Sequence, residues 1–214
     1  MIESEATEYR DFIIVHGPPG AGKGTMSDRF SAEHTYAQHI SAGDTVRAIV
    51  SGERISRSSV AVKFATERNL LMTDDISTDV ILEAASLDTS TSLSLVDGYP
   101  QRKGELDNLL LRAEQEKVRI LGALCLEVSG DVSVERMARR GLRKGEALAD
   151  DSDALIYYRQ RYERFMQNYR DIKALLENNM DVVELDASGS KRVVYDKFKK
   201  SVYRSLLLPD TDTI

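Results

Sequence analysis

Residues 12–25 read FIIVHGPPGAGKGT, in which four apolar residues lead into a segment with four glycines and two prolines. The apolar run is typical of a buried β-strand. The segment after it cannot form a regular helix or strand, because glycine and proline both interrupt such elements. A strand that ends in a tight glycine-rich turn is therefore the feature that decides the fold.

The spacing within this turn is Gly17-x4-Gly22-Lys23, and a helical pattern follows over residues 26–33. Phosphate groups bind where several backbone N–H groups converge at the start of a helix, and glycines allow that close approach. A lysine at this position adds a mobile cation for the β- and γ-phosphates. The pattern predicts a phosphate-binding loop; the alternative is an ordinary glycine turn.

The composition limits the class of protein. With 214 residues, 42% of them hydrophobic, the chain suits one compact domain with small inserted lobes. The formal net charge of −6 argues against a general nucleic-acid or anionic-membrane binder. Cys125 is the only cysteine and lies in an apolar run, so we expect an inert buried thiol. No apolar run approaches 18 residues, and the N-terminus lacks a basic leader. We expect a monomeric cytoplasmic protein.

Short apolar runs alternate with longer helical patterns along the chain, which predicts a five-stranded parallel sheet in a three-layer α/β fold. The predicted strands are 12–15, 36–40, 93–96, 120–128 and 182–185. Residues 1–10 are polar and predict a flexible tail before a domain over 11–214. A helix over 153–177 carries an apolar stripe predicted to face the core: Leu155, Tyr158, Tyr162, Phe165, Tyr169 and Ile172.

The residue after Lys23 is Gly24, where the usual phosphate loop has the serine or threonine that binds Mg²⁺, and Thr25 follows. This variant, GxPGxGKGT, resembles the adenylate kinase family of nucleoside monophosphate kinases. Five further motifs resemble that family in its order. They are HISAGDTVR (39–47), NLLMTD (69–74), LVDGYP (95–100), RMARRG (136–141) and VELDAS (183–188).

The resemblance implies a phosphate-loop kinase fold with a nucleoside monophosphate (NMP)-binding lobe at about 41–72 and a short lid at about 141–152. It implies Mg²⁺-dependent, reversible transfer of the γ-phosphoryl group of ATP to an NMP. Asp97, at the end of an apolar strand, is implied to hold Mg²⁺ through water; otherwise it is a turn or helix-capping residue. The lid is too short for the zinc-holding lid of part of the family, so we expect no zinc.

The implied site residues fall into three groups. ATP would be bound by Gly17, Pro18, Gly20, Ala21, Gly22, Lys23, Gly24, Thr25 and Arg136. The NMP would be bound by Ser41, Ala42, Arg47, Met72, Gly98, Gln101, Arg102 and Glu105. The transferring charge would be stabilised by Lys23, Arg136, Arg140 and an arginine of the long helix, Arg161 or Arg159. Without the other motifs, Arg136 and Arg140 would be assigned to a solvated helix face.

The chain departs from the family at three positions. Gln101 replaces the arginine that follows Asp-Gly-Tyr-Pro, with Arg102 one place later. Glu105 replaces a glutamine that reads adenine. Leu148 replaces a lid arginine, for which Arg143 or Lys144 could substitute.

The long-helix arginine depends on the direction of counting. Counting forward from Asp150-Asp151 selects Arg159, and counting back from VELDAS selects Arg161. Arg161 lies slightly nearer the apolar stripe at 100° per residue, which favours Arg161. The three histidines, His16, His34 and His39, have no metal-ligand spacing and are assigned no chemistry.

AMP is the leading acceptor, since most close relatives of this motif set use it. Ala42 is also similar to the pyrimidine monophosphate kinases, and GMP, UMP or CMP is the alternative. A catalytically impaired nucleotide-binding module, suggested by Gln101 and Leu148, is a second alternative. A phosphate-loop kinase for a small molecule other than a nucleotide is disfavoured, because the motifs at 41–47 and 97–100 fit the nucleotide family.

Overall fold

The structure is a computed structural model that describes residues 9–143 and 152–207. Its strands are β1 (Arg10–His16), β2 (Ala37–Ser41), β3 (Leu93–Asp97), β4 (Val118–Glu127) and β5 (Val182–Asp186). The first four helices are α1 (Lys23–Glu33), α2 (Ala42–Ser51), α3 (Ser59–Glu67) and α4 (Asp74–Ser86). The others are α5 (Lys103–Ala113), α6 (Gly130–Arg143), α7 (Ser152–Asn179) and α8 (Lys191–Leu207).

The five strands form one parallel sheet in the order β2-β3-β1-β4-β5, as the alternating pattern predicted. Val15 of β1 and Ser41 of β2 both lie opposite Asp97 of β3. The carboxyl ends of three strands therefore meet at one edge of the sheet, the place where open α/β sheets bind ligands. Arg10 belongs to β1, so the last residue of the predicted tail is part of the sheet. Residues 1–8 lie outside the described ranges.

The sheet is covered on both faces, which gives the predicted three layers. Ile13 and Val15 point to one face and pack with apolar residues of α1 and α8. Phe12 and Ile14 point to the other face and pack with residues of α4, α5 and α7. Strands buried on both faces read as continuous apolar runs, which is why 12–15 shows no polar alternation.

Two groups of helices lie away from the sheet. Ile49 of α2, Val62 of α3 and Val80 of α4 form a small core of their own at the position of the predicted NMP-binding lobe. Val134 and Met137 of α6 pack with Tyr158 of α7 in a second small core. Between these two helices, most of the predicted lid (141–152) falls on residues 144–151, which the structure does not describe.

Helix α7 is the longest helix, and its stripe is only partly buried. Tyr158, Tyr169 and Ile172 are buried as predicted, whereas Leu155 is 43% exposed, so its assignment to the core was wrong. Leu155 belongs to the first turn of α7, which lies beside α6 and precedes the part of α7 that packs on the sheet. In the two described ranges, no helix is long and apolar enough to span a bilayer.

Cys125 lies on β4 and is fully buried. Burial, with the nearby Glu127 carboxylate, raises the pKa of its thiol to about 12. The thiol therefore stays protonated and inert at neutral pH, as the sequence indicated.

Gly122 provides a test of how β4 fits between its neighbours. Its φ is +140°, and a Cβ atom there would lie 2.6 Å from the carbonyl oxygen of Asp181. We expect Gly122→Ala to lower the free energy of unfolding by about 3 kcal/mol, because backbone strain and a steric clash combine. Gly52→Ala is the control, since its φ is +83° and no atom lies within 4 Å of the added Cβ. Its cost should be about 1 kcal/mol. If urea unfolding gave the same loss of stability for Gly122→Ala and Gly52→Ala, β4 would be able to shift and relieve the clash with Asp181.

Candidate active site

The phosphate loop joins β1 to α1 and packs against two other elements. Gly17 has a φ of +135°, and a Cβ atom there would lie 2.3 Å from the carbonyl oxygen of Leu126 on β4. At Gly20 a Cβ atom would lie 2.6 Å from the carbonyl oxygen of Ser133 on α6. The Ser133 hydroxyl in turn donates a hydrogen bond to the carbonyl oxygen of Pro19 at 2.5 Å. The loop is thus held against β4 and α6 by contacts that only glycine permits.

Lys23 is the first residue of α1, three residues earlier than the helical pattern predicted. Its Nζ atom donates to the carbonyl oxygens of Gly17 (2.8 Å) and Pro18 (3.2 Å) and lies 3.8 Å from Oδ1 of Asp97. Burial lowers the pKa of Lys23, the Asp97 carboxylate opposes this shift, and the charges of Arg161 and Arg140 add to it. Three cations from three helices therefore act on one point beside the loop.

The two candidate arginines of α7 differ in their surroundings. Arg159 is half exposed and donates to Oδ1 of Asp131 on α6 at 2.7 Å. Arg161 lies close enough to Lys23 for its charge to lower the lysine pKa. The charge of Arg161 therefore acts on the lysine at the phosphate loop, whereas Arg159 is engaged with Asp131.

The arginines of α6 also reach in different directions. Arg136 points its guanidinium toward the carbonyl oxygens of Gly20 (3.5 Å), Ser188 (3.3 Å) and Gly189 (3.3 Å). It thus links the phosphate loop to the loop after β5. The charge of Arg140 acts on Lys23 and also helps to lower the pKa of Asp44 on α2, behind the larger effect of Arg47. The charge of Arg140 therefore acts on one residue of each predicted nucleotide site.

The predicted acceptor residues begin where β2 and β3 end. The Ser41 hydroxyl caps α2 by accepting from the Asp44 backbone N–H at 3.3 Å. Arg47 donates to the Asp44 carboxylate, and both side chains are largely exposed. Gly98, just after β3, lies close to Ala42 and Gln101. A Cβ atom added to Gly98 would lie 3.7 Å from the Cβ atom of Ala42 and 4.0 Å from Nε2 of Gln101. Gln101 donates to the Gly98 carbonyl oxygen at 2.7 Å.

Arg102 and Glu105 form an ion pair with each other. Glu105 is only 5% exposed and accepts hydrogen bonds from the Gln101 backbone N–H (2.7 Å) and Nη2 of Arg102 (2.6 Å). Arg102 also lies 3.0 Å from Oδ1 of Asp74, at the start of α4. The predicted role of Arg102 at the acceptor phosphate therefore requires that it leave two carboxylates. Met72 lies beside the small core of the lobe.

Asp97 faces a histidine that sequence reasoning had left without a role. Nε2 of His39 lies 3.8 Å from Oδ2 of Asp97, and Nδ1 lies 2.6 Å from Oδ1 of Asp28. Burial lowers the pKa of His39, but Asp97 and Asp28 outweigh it and raise the pKa above its ordinary value. The available signal was the position of His39, two residues before the end of a strand beside Asp97. Metal-ligand spacing alone does not reveal it.

The surroundings of Asp97 fit a hydrated Mg²⁺ ion better than one bound directly. In residues 9–143 and 152–207, no group of three or more His, Cys, Asp or Glu side chains forms a metal cage. Lys23 and His39 both stand 3.8 Å from Asp97, which exceeds hydrogen-bond length. A Cβ atom on Gly24 would be in ordinary van der Waals contact with Oδ2 of Asp97, at 3.6 Å. Mg²⁺ usually keeps several of its waters.

Comparison with known proteins agrees with this arrangement. The family model for adenylate kinase matches residues 15–181. An adenylate kinase of Rhodopirellula baltica is 31% identical over 189 residues, which cover 86% of this chain and 90% of that protein. An adenylate kinase of Corynebacterium diphtheriae is 32% identical over 180 residues, which cover 83% of this chain and 91% of that protein. One of Clostridium acetobutylicum is 34% identical over 128 residues, 60% of this chain and 58% of that protein. The chain therefore belongs to the adenylate kinase family, and this membership supports phosphoryl transfer to a nucleoside monophosphate.

Proposed function

We propose that the protein catalyses the reversible, Mg²⁺-dependent transfer of the γ-phosphoryl group of ATP to a nucleoside monophosphate, with AMP as the acceptor. The observation that carries this proposal is the convergence of Lys23, Arg140 and Arg161 beside Asp97, at the end of the phosphate loop. Phosphoryl transfer gathers negative charge at one point, and its catalysis consists mainly of positioning and charge stabilisation.

On the donor side, the loop N–H groups and the N-terminus of α1 would bind the phosphates of ATP. The Lys23 ammonium group would leave the carbonyl oxygens of Gly17 and Pro18 and donate to phosphate oxygens instead. Hydrogen bonds to the charged phosphate oxygens are stronger than those to neutral carbonyl oxygens. Arg136 would contribute from the side of the loop after β5. Bound Mg²⁺ would neutralise charge on the phosphates, and Asp97 would hold it through water.

On the acceptor side, Arg47 would release Asp44 and bind the monophosphate, with Gln101 as a neutral neighbour. Arg140 is suited to the transferring group, because its charge acts both on Lys23 at the loop and on Asp44 of α2. The lid, whose residues 144–151 lie outside the described ranges, would close over the reactants without a metal. Closure would exclude water that otherwise hydrolyses ATP.

A second candidate is a nucleotide-binding protein with impaired catalysis, favoured by the engagement of Arg102 with Asp74 and Glu105. A coupled assay for ADP formation, with AMP, GMP, UMP and CMP as acceptors, separates the two. Turnover that depends on Mg²⁺ and is fastest with AMP supports the proposed function. ATP binding without diphosphate formation from any acceptor would contradict it.

Replacing Lys23 tests the donor site. We expect Lys23→Met to lower kcat several hundredfold or more, because removal of one preorganised electrostatic group costs about 3 kcal/mol. Thermal unfolding should hardly change, because loss of the hydrogen bonds to Gly17 and Pro18 is offset by removal of a buried cation. Lys103→Met removes an exposed lysine that pairs with Asp107 on α5, and it should leave kcat unaltered. Near-normal turnover in a folded Lys23→Met protein would rule out the donor-site assignment.

Single alanine variants distinguish the two arginines of α7. At saturating substrates, Arg161→Ala should lower kcat by about a hundredfold or more, since its charge acts at the transferring group. Arg159→Ala should have a small effect, because Arg159 forms an exposed pair with Asp131. The reverse pattern would assign the active-site role to Arg159.

The role of Glu105 in acceptor choice is tested by Glu105→Gln. An ionised carboxylate only accepts hydrogen bonds and repels the N1 acceptor of adenine, whereas glutamine can also donate. To face the base, the residue 105 side chain must leave the Gln101 N–H and Arg102. With that rearrangement on nucleotide binding, we expect the substitution to raise kcat/KM for AMP relative to GMP and UMP. Glu114→Gln, next to the C-terminal end of α5, is the control. An unchanged ratio in a stable Glu105→Gln protein would mean that Glu105 does not face the base.

A further inference from the structure

Tyr169 of α7 lies where the phosphate loop leaves the sheet. It is only 4% exposed, and its hydroxyl donates a hydrogen bond to the carboxylate of Glu127, the last residue of β4. Its ring stacks on that of His16, the last residue of β1, with the ring centroids 5.4 Å apart and the ring planes at 23°. One side chain of α7 therefore contacts the ends of two neighbouring strands.

These two strand ends also hold the phosphate loop. His16 precedes Gly17, whose carbonyl oxygen accepts a hydrogen bond from Nζ of Lys23. Glu127 follows Leu126, the residue against which Gly17 packs too closely to admit a Cβ atom. The strands that fix the loop therefore also fix Tyr169, so α7 and the loop share one support.

Arg161 lies on the side of α7 that carries this contact. Phe165 and Tyr169 follow Arg161 at steps of four residues, and residues so spaced are neighbours on one side of a helix. The Phe165 ring packs on His16, with centroids 5.6 Å apart, and on Tyr169, with centroids 5.3 Å apart. Arg161 is one turn beyond this aromatic stack, and its charge acts on Lys23. The direction of Arg161 thus depends on how Tyr169 holds α7 against the sheet.

Lys173 makes a second contact one turn further along α7. Its Nζ atom lies 3.4 Å from Oε1 of Glu127 and 2.9 Å from Oε1 of Glu184 on β5. Glu127 therefore keeps a cationic partner when the Tyr169 hydroxyl is removed, and no carboxylate is left unpaired. A lysine side chain is flexible, whereas a buried tyrosine ring occupies one rotamer, so Lys173 does not replace the orientation that Tyr169 provides.

We propose that Tyr169 is a positioning residue for Arg161: its hydrogen bond to Glu127 and its stacking on His16 hold α7 in the rotation that directs Arg161 toward the transferring phosphoryl group. In this role Tyr169 acts through Arg161 and does not contact the reactants. Phosphoryl transfer depends on positioning, and a displacement of about 1 Å can lower a rate by up to about a hundredfold. This inference rests on the proposed function.

The test removes the hydroxyl group of Tyr169 and keeps its ring. The rate of ADP formation from ATP and the fastest acceptor is measured in single turnovers, so that product release does not hide the chemical step. We expect Tyr169→Phe to lower this rate about five- to tenfold, because the hydrogen bond that selects the productive orientation of α7 is lost. The KM values of both substrates should change by less than about twofold, since Arg161 acts on the transition state.

A double-mutant cycle separates positioning from a general loss of packing. If Tyr169 acts through Arg161, Tyr169→Phe should leave the rate nearly unchanged in an Arg161→Ala background. The same fold-loss in both backgrounds would overturn the proposal, as would an unaltered rate in the single Tyr169→Phe variant.

Tyr195→Phe is the matched control. Tyr195 is also buried and donates through its hydroxyl to a glutamate, Glu33, at 2.7 Å, but Glu33 lies at the opposite end of α1 from Lys23. Thermal unfolding should show a similar loss of stability in both tyrosine variants, whereas the single-turnover rate should fall only in Tyr169→Phe. An equal fall in the two rates would contradict the proposal.

Variants of Glu127 test the same hydrogen bond from the other side. Glu127→Gln keeps an acceptor for the Tyr169 hydroxyl, whereas Glu127→Leu removes it, and both lose the charge that pairs with Lys173. We expect Glu127→Gln to retain most of the single-turnover rate and Glu127→Leu to lose as much as Tyr169→Phe. Equal rates in the two Glu127 variants would contradict the proposal.

The two levels of inference fail separately. If the wild type forms ADP and Arg161→Ala slows it, but Tyr169→Phe keeps the full rate, only the role of Tyr169 is wrong. If the wild type forms no diphosphate from any acceptor, the proposed function is wrong and the role of Tyr169 is overturned with it.

Discussion

The burial of the Lys23 cation at the phosphate loop, close to other cations, is the constraint on which the rest of the structure depends. Lys23 is buried beside the charges of Arg140 and Arg161, with the Asp97 carboxylate as the main opposing group. Like charges in a partly desolvated cleft disfavour one another unless a scaffold fixes them. The protein supplies that scaffold by drawing each cation from a separate element, so that no single helix has to bear the repulsion. An anionic substrate is the complement that such a site requires.

Contacts between α6 and the loop keep this arrangement in register. Ser133 holds the Pro19 carbonyl oxygen, and Arg136 links Gly20 to the loop after β5. The pair Asp131–Arg159 then joins α6 to α7 on the outer side, which leaves the opposite side of α7 to carry Arg161 toward the loop. The phosphate loop, α6 and the loop after β5 are thus joined by one set of hydrogen bonds.

The sequence predicted the sheet and the phosphate loop well, because both depend on local patterns. Apolar runs of four to nine residues specify buried strands, and glycine spacing with a lysine specifies the loop. The side-chain partners could not be predicted in the same way. The approach of Asp74 to Arg102 joins residues from two helices, and Asp28 reaches His39 only through the packing of α1 beside β2. Leu155 followed the periodicity but lies beyond the part of α7 that covers the sheet.

The departures at 101–105 are physically one change. A carboxylate as buried as Glu105 is unfavourable unless a cation and a hydrogen-bond donor satisfy it. Arg102 supplies the cation and the Gln101 backbone N–H supplies the donor. The Gln101 side chain lies near Gly98, so an arginine at position 101 would begin on the side of Gly98 and Ala42 and not beside Glu105. Moving the guanidinium by one residue thus compensates the charge that Glu105 introduces. Under the proposed function, the same move would withdraw a cation from the acceptor side, and binding of the monophosphate would depend more heavily on Arg47 and Arg140.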